Sequence, residues 1–329
     1  MRKLASIQKI AEVAPIQGAD KICKYRVNNW WIVDAVEKYS VGDLATYVEV
    51  DAMLPIQPQY EFLRKNCYKK LIDGTEGYRI RTIKLRGQIS QGLLLNAVEG
   101  FSEGENVSEA LGVFKYEPPI SACLMGKVKG NFPAFIPKTD SERVQNLTDP
   151  YNVWTRSNID FYCTEKLDGS SMTVYNMDGA FGVCSRRMDL AETEDNSFWK
   201  MARKLDLENK LAKVGNLAIQ GELVGENIQH NRYKIKGHKF YAFDAFDIQA
   251  QKYLDVHSLL NVCKALDIEA VPMLNLDFPL PETIDELLLE AEGKSQLYDT
   301  EREGFVIRSH DRNIGFKAIS NKFLLKNED

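Results

Sequence analysis

Cysteine is sparse and scattered in this chain. Six cysteines, Cys23, Cys67, Cys123, Cys163, Cys184 and Cys263, occur without a CxxC pair, so neither a disulfide framework nor a zinc cluster is expected. Histidine is scarcer still. His230, His238, His257 and His310 show no HExxH-type spacing, which speaks against a metal-ligating pair. No apolar run approaches the ~20 residues of a membrane helix. The N-terminus, Met1-Arg2-Lys3-Leu4-Ala5-Ser6-Ile7, lacks the apolar core and cleavage site of a secretory signal. The expectation is a chain that is not secreted and contacts no membrane, held in the cytoplasm or another reducing compartment, with Cys163 and Cys184 as ordinary core thiols. A GxxxxGK[ST] loop is also missing, which disfavours a P-loop kinase or ATPase.

What is present is enough chain for two domains: 329 residues against a rough prior of one domain per ~150. The formal net charge of −5 argues weakly against nucleic acid when read globally. Local distribution argues the other way. Arg64, Lys65, Lys69, Lys70, Arg79, Arg81, Lys84 and Arg86 face only Asp73 and Glu76 within the same stretch, and Tyr68 and Tyr78 are interleaved. Such a patch can neutralise phosphates while aromatics stack on bases. A solvated charged face is the competing reading.

The first 116 residues read mostly as strands: Tyr25–Val36 as a pair, Leu44–Val50, Tyr78–Leu85, and Gly92–Leu95, with a short helix expected from Ser102 to Leu111. Short strands at this spacing suggest a small β-barrel, of which the five-stranded OB barrel is a common nucleic-acid-binding form. From Glu117 toward Pro137, prolines and glycines (Pro118, Pro119, Gly126, Gly130, Pro133) mark a link, taken as 117–131. Beyond it strands and helices mix. Asp255 is placed to cap a helix over Val256–Leu266, and Thr283 with Glu286 forms a capping-box pattern for a helix to about Ala291.

The chemistry centres on Glu165-Lys166-Leu167-Asp168-Gly169-Ser170-Ser171, between two strand-like runs, Phe161–Thr164 and Ser171–Tyr175. An amine beside an acid and a glycine turn can act as a covalent nucleophile if held neutral by burial and positive neighbours. A plain hairpin turn with a solvated lysine remains open at this point. Five further elements follow in order: Ser185-Arg186-Arg187; Gln220-Gly221-Glu222-Leu223-Val224-Gly225; Phe240-Tyr241-Ala242-Phe243-Asp244; Glu303-Gly304-Phe305-Val306-Ile307-Arg308; and Gly315-Phe316-Lys317-Ala318-Ile319. Singly each has an ordinary structural reading; collected in order after the lysine turn, they do not.

In these six motifs, across about Phe132 to Lys326, the chain resembles the covalent nucleotidyltransferases: ATP-dependent DNA and RNA ligases and GTP-dependent mRNA capping enzymes. The resemblance implies an α+β chain. An OB-like barrel (1–116) precedes an ATP-grasp-like adenylyltransferase domain (132–329) of antiparallel sheets with flanking helices. It implies ATP and Mg²⁺ or Mn²⁺ as cofactors. Lys166 would form a lysyl–AMP with Lys317 assisting, and the AMP would pass to a 5′-phosphate end that a 3′-hydroxyl then seals. Asp168, Glu222 and Glu303 would hold the metal largely through its water shell, Phe243 would lie against adenine, and Glu165 would help read the base. Arg186 would meet phosphate or the substrate end. Phe135–Asn146 resembles the opening element of RNA ligases, with Arg143 on the β/γ-phosphates.

The order of domains, the few residues after Lys317, and the run Glu222–Gln229 resemble the fifth RNA ligase family. That resemblance implies a nicked duplex with an RNA 3′-hydroxyl strand as substrate, and a monomer is expected. A DNA ligase, a capping guanylyltransferase and an inactive RNA-binding protein are the alternatives. One departure stands in the last motif, where many ligases carry lysine–x–lysine: here Ile319 holds the second position and Lys322 lies further on.

Overall fold

The computed structural model describes residues 3–71, 74–116 and 128–327. Asp73, Cys123 and the larger part of the proline- and glycine-rich link (117–127) lie outside them. The chain divides into two compact units, Met1–Pro119 with Leu324–Asp329, and Ile120–Phe323.

The N-terminal unit is built from short antiparallel strands. Ala19–Val27 and Trp30–Ala35 form the hairpin read from the sequence, with Asn28 in the left-handed conformation that asparagine tolerates. Alternation puts Tyr25, Val27, Trp30 and Ile32 into one core with Tyr47 and Leu94. Leu44–Val48 is the middle strand of a second sheet, between Ala5–Lys9 and Leu93–Asn96. Two expectations fail here. Tyr78–Leu85 is not one strand. Glu76–Arg79 pairs with Ala52–Leu54 and Tyr68–Lys70, whereas Thr82–Leu85 pairs with Gln88–Gln91. The buried Ile80 turns the corner, its N–H donating to Ala52 and its carbonyl accepting from Asp51. Nor is there a helix over 102–111. Gly104 has φ +81°, and the Ser108 hydroxyl accepts from the Leu4 and Ala5 backbone amides, so bonds to a distant strand take the place of the helical ladder.

The basic stretch is also less available than its composition suggests. Arg64 pairs with Glu61 at 2.6 Å, Lys70 with Glu76 at 3.1 Å and Arg79 with Asp51 at 3.0 Å. Tyr78 is fully buried and donates its hydroxyl to Glu61, so it belongs to the core and presents no face to a base.

The second unit holds two sheets. In the larger, Ser170–Met177 lies between Ala180–Ser185 and Leu217–Gly225, and the aromatic strand His238–Asp247 follows on the far side of Leu217–Gly225. In the smaller, the strand order is Glu142–Arg143, Gly315–Ile319, Gly304–Ser309, the lysine strand Phe161–Lys166, and Met273–Asn275. The outer face of the larger sheet is apolar (Leu223, Phe240, Ala242, Ala245). It is covered by Phe198 and Trp199 from the helix Ser197–Lys204 and by Leu259 and Cys263 from the helix Val256–Ala265. Asp255 caps the latter by accepting from the His257 and Ser258 amides, as its sequence position predicts. The smaller sheet turns Phe161, Cys163, Phe305, Ile307 and Phe316 toward Tyr151 of the helix Thr148–Trp154 and Leu287 of the helix Ile284–Glu290. Thr283 and Glu286 form a complete capping box there. Cys163 and Cys184 are fully buried free thiols, and burial pushes the Cys163 thiol up to about 12. Among the described residues no helix is long and apolar enough to cross a membrane.

Candidate active site

The two strands flanking Lys166 do not pair with each other. Phe161–Lys166 bonds to Gly304–Ser309, while Ser170–Met177 bonds to Leu217–Gly225 in the other sheet. The hairpin reading of this turn is therefore excluded, and the lysine stands where the chain passes from one sheet to the other. Gly169 makes that passage possible. A Cβ on it would fall 2.5 Å from the Leu223 carbonyl oxygen and 2.9 Å from Glu222 Cγ, so only glycine lets the turn lie against the glutamate strand. The turn is pinned again where the Asp168 amide donates to the Tyr233 hydroxyl at 2.8 Å.

Strand alternation sorts the side chains. Lys166 shares its face with Tyr162 and Thr164, opposite the apolar face formed by Phe161 and Cys163. Register does the rest. Lys166 stands opposite Gly304, which brings Glu303 beside it, and Lys166 Nζ lies 2.6 Å from Glu303 Oε1. Glu222 and Asp168 act on the same ammonium. Lys317 stands opposite Val306 on one side and Arg143 on the other, so Lys317 and Arg143 are neighbours across a parallel pair. Arg186, held by Asp140, adds to the positive field that Lys317 feels.

The charges settle accordingly. Burial lowers the Lys166 pKa, but Glu303, Glu222 and Asp168 outweigh it, and the net shift is upward. With no added cation, the neighbours of Lys166 favour its protonated form. Lys317 goes the other way, down to about 7, through burial and the nearby Lys166, Arg143 and Arg186. Glu222 is pushed up to about 8 by burial, with Glu303 and Asp168 adding to the shift against the pull of Lys166. Burial raises Glu303 as well, and its Oε2 is buried with no hydrogen-bond partner among the described residues. Three carboxyl groups converge on one ammonium, and the unpartnered Glu303 Oε2 leaves spare acceptor capacity. That donor chemistry fits a hard divalent cation. Among the described residues no three His, Cys, Asp or Glu side chains form a direct ligand cluster.

Glu165 leaves the strand on the face away from Lys166. Its Oε2 accepts from the Gln296 amide at 2.8 Å, its Oε1 is buried with no partner among the described residues, and burial raises its pKa. Phe243 falls at a bulge. Gln220 stands opposite Asp244 and Gly221 opposite Ala242, so Phe243 has no partner in the ladder, and the extra residue re-aims its ring. The ring packs partly buried with Leu167, Tyr233, Tyr241 and Val271.

Sequence reasoning missed several participants. Arg232 pairs with Asp168 at 3.4 Å, Tyr233 fixes the lysine turn, and Asp140 holds Arg186. The only signal was the basic, aromatic run Asn231-Arg232-Tyr233-Lys234 after Glu226. The departure in the last motif is also explained in part. Ile319 is a buried core residue, and Lys322 is engaged by Glu292 at 2.7 Å.

Comparison with known proteins follows the same division of the chain. An OB-fold domain family model matches residues 4–97, and an RNA ligase family model matches residues 159–326. A search of curated proteins gives no match. Among solved structures, the Naegleria gruberi RNA ligase with PPi is 40% identical over 100% of both chains, with a TM-score of 0.93. The same ligase as a lysine-to-methionine mutant with AMP and Mn gives 40% identity, full coverage of both chains and a TM-score of 0.93. A glutamate-to-alanine mutant with ATP and Mn gives 40%, full coverage and 0.92. With an ammonium held among three acids at the seam of two sheets, and this likeness along its whole length, the chain belongs to the RNA ligase family, an OB-fold domain preceding the ligase domain.

Proposed function

We propose that this RNA ligase consumes ATP and carries the adenylyl group on Lys166. The observation that carries the reading is the Lys166 amine, 2.6 Å from Glu303, with Glu222 and Asp168 around it and Lys317 two strands away in the same sheet. In the first step the neutral amine attacks the α-phosphorus, an N–P bond forms, and the bond to pyrophosphate breaks. Glu303 Oε1 is the nearest acceptor for the proton that leaves Nζ. A 5′-phosphate oxygen then takes the adenylyl group, breaking the N–P bond. Finally a 3′-hydroxyl attacks the phosphorus of that 5′-phosphate, the phosphodiester forms, and the bond to AMP breaks so that AMP leaves. Splitting one displacement into three lowers each barrier.

Lys317 and Arg143, adjacent across their strands, suit the phosphates of ATP, and Arg186 suits the same phosphates or the nucleic-acid end. Asp168, Glu222 and Glu303 would hold Mg²⁺ or Mn²⁺, largely through water. When bound, such an ion supplies charge neutralisation at the α-phosphate and favours the unprotonated amine. The ATP and Mn named for the Naegleria ligase structures support this reading. Phe243 offers a flat face for adenine and Glu165 a buried carboxyl for base reading. The acceptor is proposed as a nicked duplex with an RNA 3′-hydroxyl strand, bound by a monomer whose N-terminal unit, residues 1–116, helps dock it. The free thiols suit a reducing compartment.

Incubation with α-labelled ATP and Mg²⁺ tests the core claim. Wild type should acquire a covalent AMP label that Lys166→Ala lacks; a labelled variant would refute the assignment. On nicked duplexes, replacing the terminal ribonucleotides of the 3′-hydroxyl strand with deoxyribonucleotides should abolish sealing. Equal sealing of all-DNA nicks would favour a DNA ligase.

A further inference from the structure

Behind Phe243 lies a charged network that the chemistry above does not use. Asp244, the next residue, pairs with Arg308 at 3.1 Å and with Arg312. Arg312 also donates to the Tyr162 hydroxyl at 2.7 Å and lies over the Tyr253 ring, whose hydroxyl donates to Gln220 at 3.2 Å. All three charged side chains are nearly enclosed, at 8 to 9% exposure. Asp244 and Gln220 belong to the sheet of Glu222. Tyr162 and Arg308 belong to the sheet of Lys166, where they stand directly opposite each other. The network therefore ties the two halves of the site together.

Its link to the base platform is Arg308. One guanidinium reaches the carboxylate of Asp244 and also lies 5.8 Å from the centroid of the Phe243 ring. The bulge at Phe243 leaves that ring without a ladder partner, so the ladder alone fixes its aim poorly. Two buried guanidiniums around one carboxylate are a poor way to gain stability, because desolvation offsets most of the Coulomb attraction. Arg308 Nη1 and Arg312 Nε even remain without acceptors among the described residues. Their planar, rigid forks suit fixing geometry.

We propose that Asp244, Arg308 and Arg312 form a positioning latch that fixes the Phe243 ring relative to the Lys166 sheet and so sets affinity for the adenine of ATP without touching it. This rests on the reading of Phe243 as the base platform. Arg308 and Arg312 are positioning residues.

The test uses the full chain and measures KM for ATP in lysine adenylylation, together with KM for pyrophosphate in its reversal. Pyrophosphate carries no base. Phe243→Ala should raise KM for ATP tenfold or more. Arg308→Lys, which keeps a charge for Asp244 but loses the planar fork, should raise it at least fivefold and leave KM for pyrophosphate within twofold. In the Phe243→Ala background, Arg308→Lys should add less than twofold, because the ring through which it acts is gone. Independent, multiplying effects would overturn the latch, as would an equal rise in both KM values or no rise with Arg308→Lys. An unchanged KM in Phe243→Ala would overturn the platform reading and the latch with it. If Arg308→Lys does not fold, Arg312→Lys and Tyr162→Phe carry the same comparison, with rises of at least twofold expected and the same results overturning it.

Discussion

Lys166 and Glu222 both hold their protons more tightly in the folded cluster. Glu222 holds its proton more tightly folded, at about 8, than its ordinary carboxylate value of 4.5. Between those two values the folded state binds the extra proton, so stability falls as pH rises through the window. Glu222→Gln removes that penalty. We expect the variant to gain roughly 1–3 kcal/mol over wild type at pH 8 and little at pH 5. Thermal melts at the two pH values check this, and a pH-independent difference would contradict it. Gly169 is decided by space. Gly169→Ala should abolish lysine adenylylation, because the turn must move off Leu223 and Glu222; near-normal labelling would show that the turn adapts. The six motif residues were readable from sequence because each is marked by its immediate neighbours. Arg308 was not. Its partner Asp244 is 64 residues away, and neither residue's local sequence distinguishes it from a surface charge.

At the scale of elements, local signals read true where a local bond decides the outcome. Asp255 and Thr283 cap helices as their positions predict, since an N-cap needs only a side-chain oxygen and the amides two or three residues on. Thr283→Ala should cost about 1 kcal/mol in chemical denaturation and leave adenylylation intact. A loss of activity without a loss of stability would mean the helix Ile284–Glu290 does more than buttress the smaller sheet. Signals failed where distant partners decide. Tyr78–Leu85 alternates like one strand, yet its halves bond to different neighbours. Residues 102–111 carry a helical pattern, but Ser108 is claimed by Leu4 and Ala5, about a hundred positions earlier. Nothing near Lys166 announces that its flanking strands enter separate sheets.

For the molecule as a whole, the order of an OB-fold domain and then a ligase domain was legible because short strands at regular spacing mark the first and six ordered motifs, through the family they resemble, mark the second. The basic stretch was legible as composition only, since its counter-ions Glu61 and Asp51 lie outside it. Removal of residues up to Lys115 should spare lysine adenylylation and reduce nick sealing at least tenfold. Labelling and sealing assays on one soluble preparation decide it, and undiminished sealing would deny the N-terminal unit a docking role. The route of the chain has its own implication. The smaller sheet takes strands from both sides of the larger one in sequence, so Lys166 is made long before Glu303 and Lys317. A nascent chain on the ribosome carries the nucleophile without its counterion or its helper cation. Prematurely terminated products should thus be inert toward ATP, and only finished polypeptides become competent.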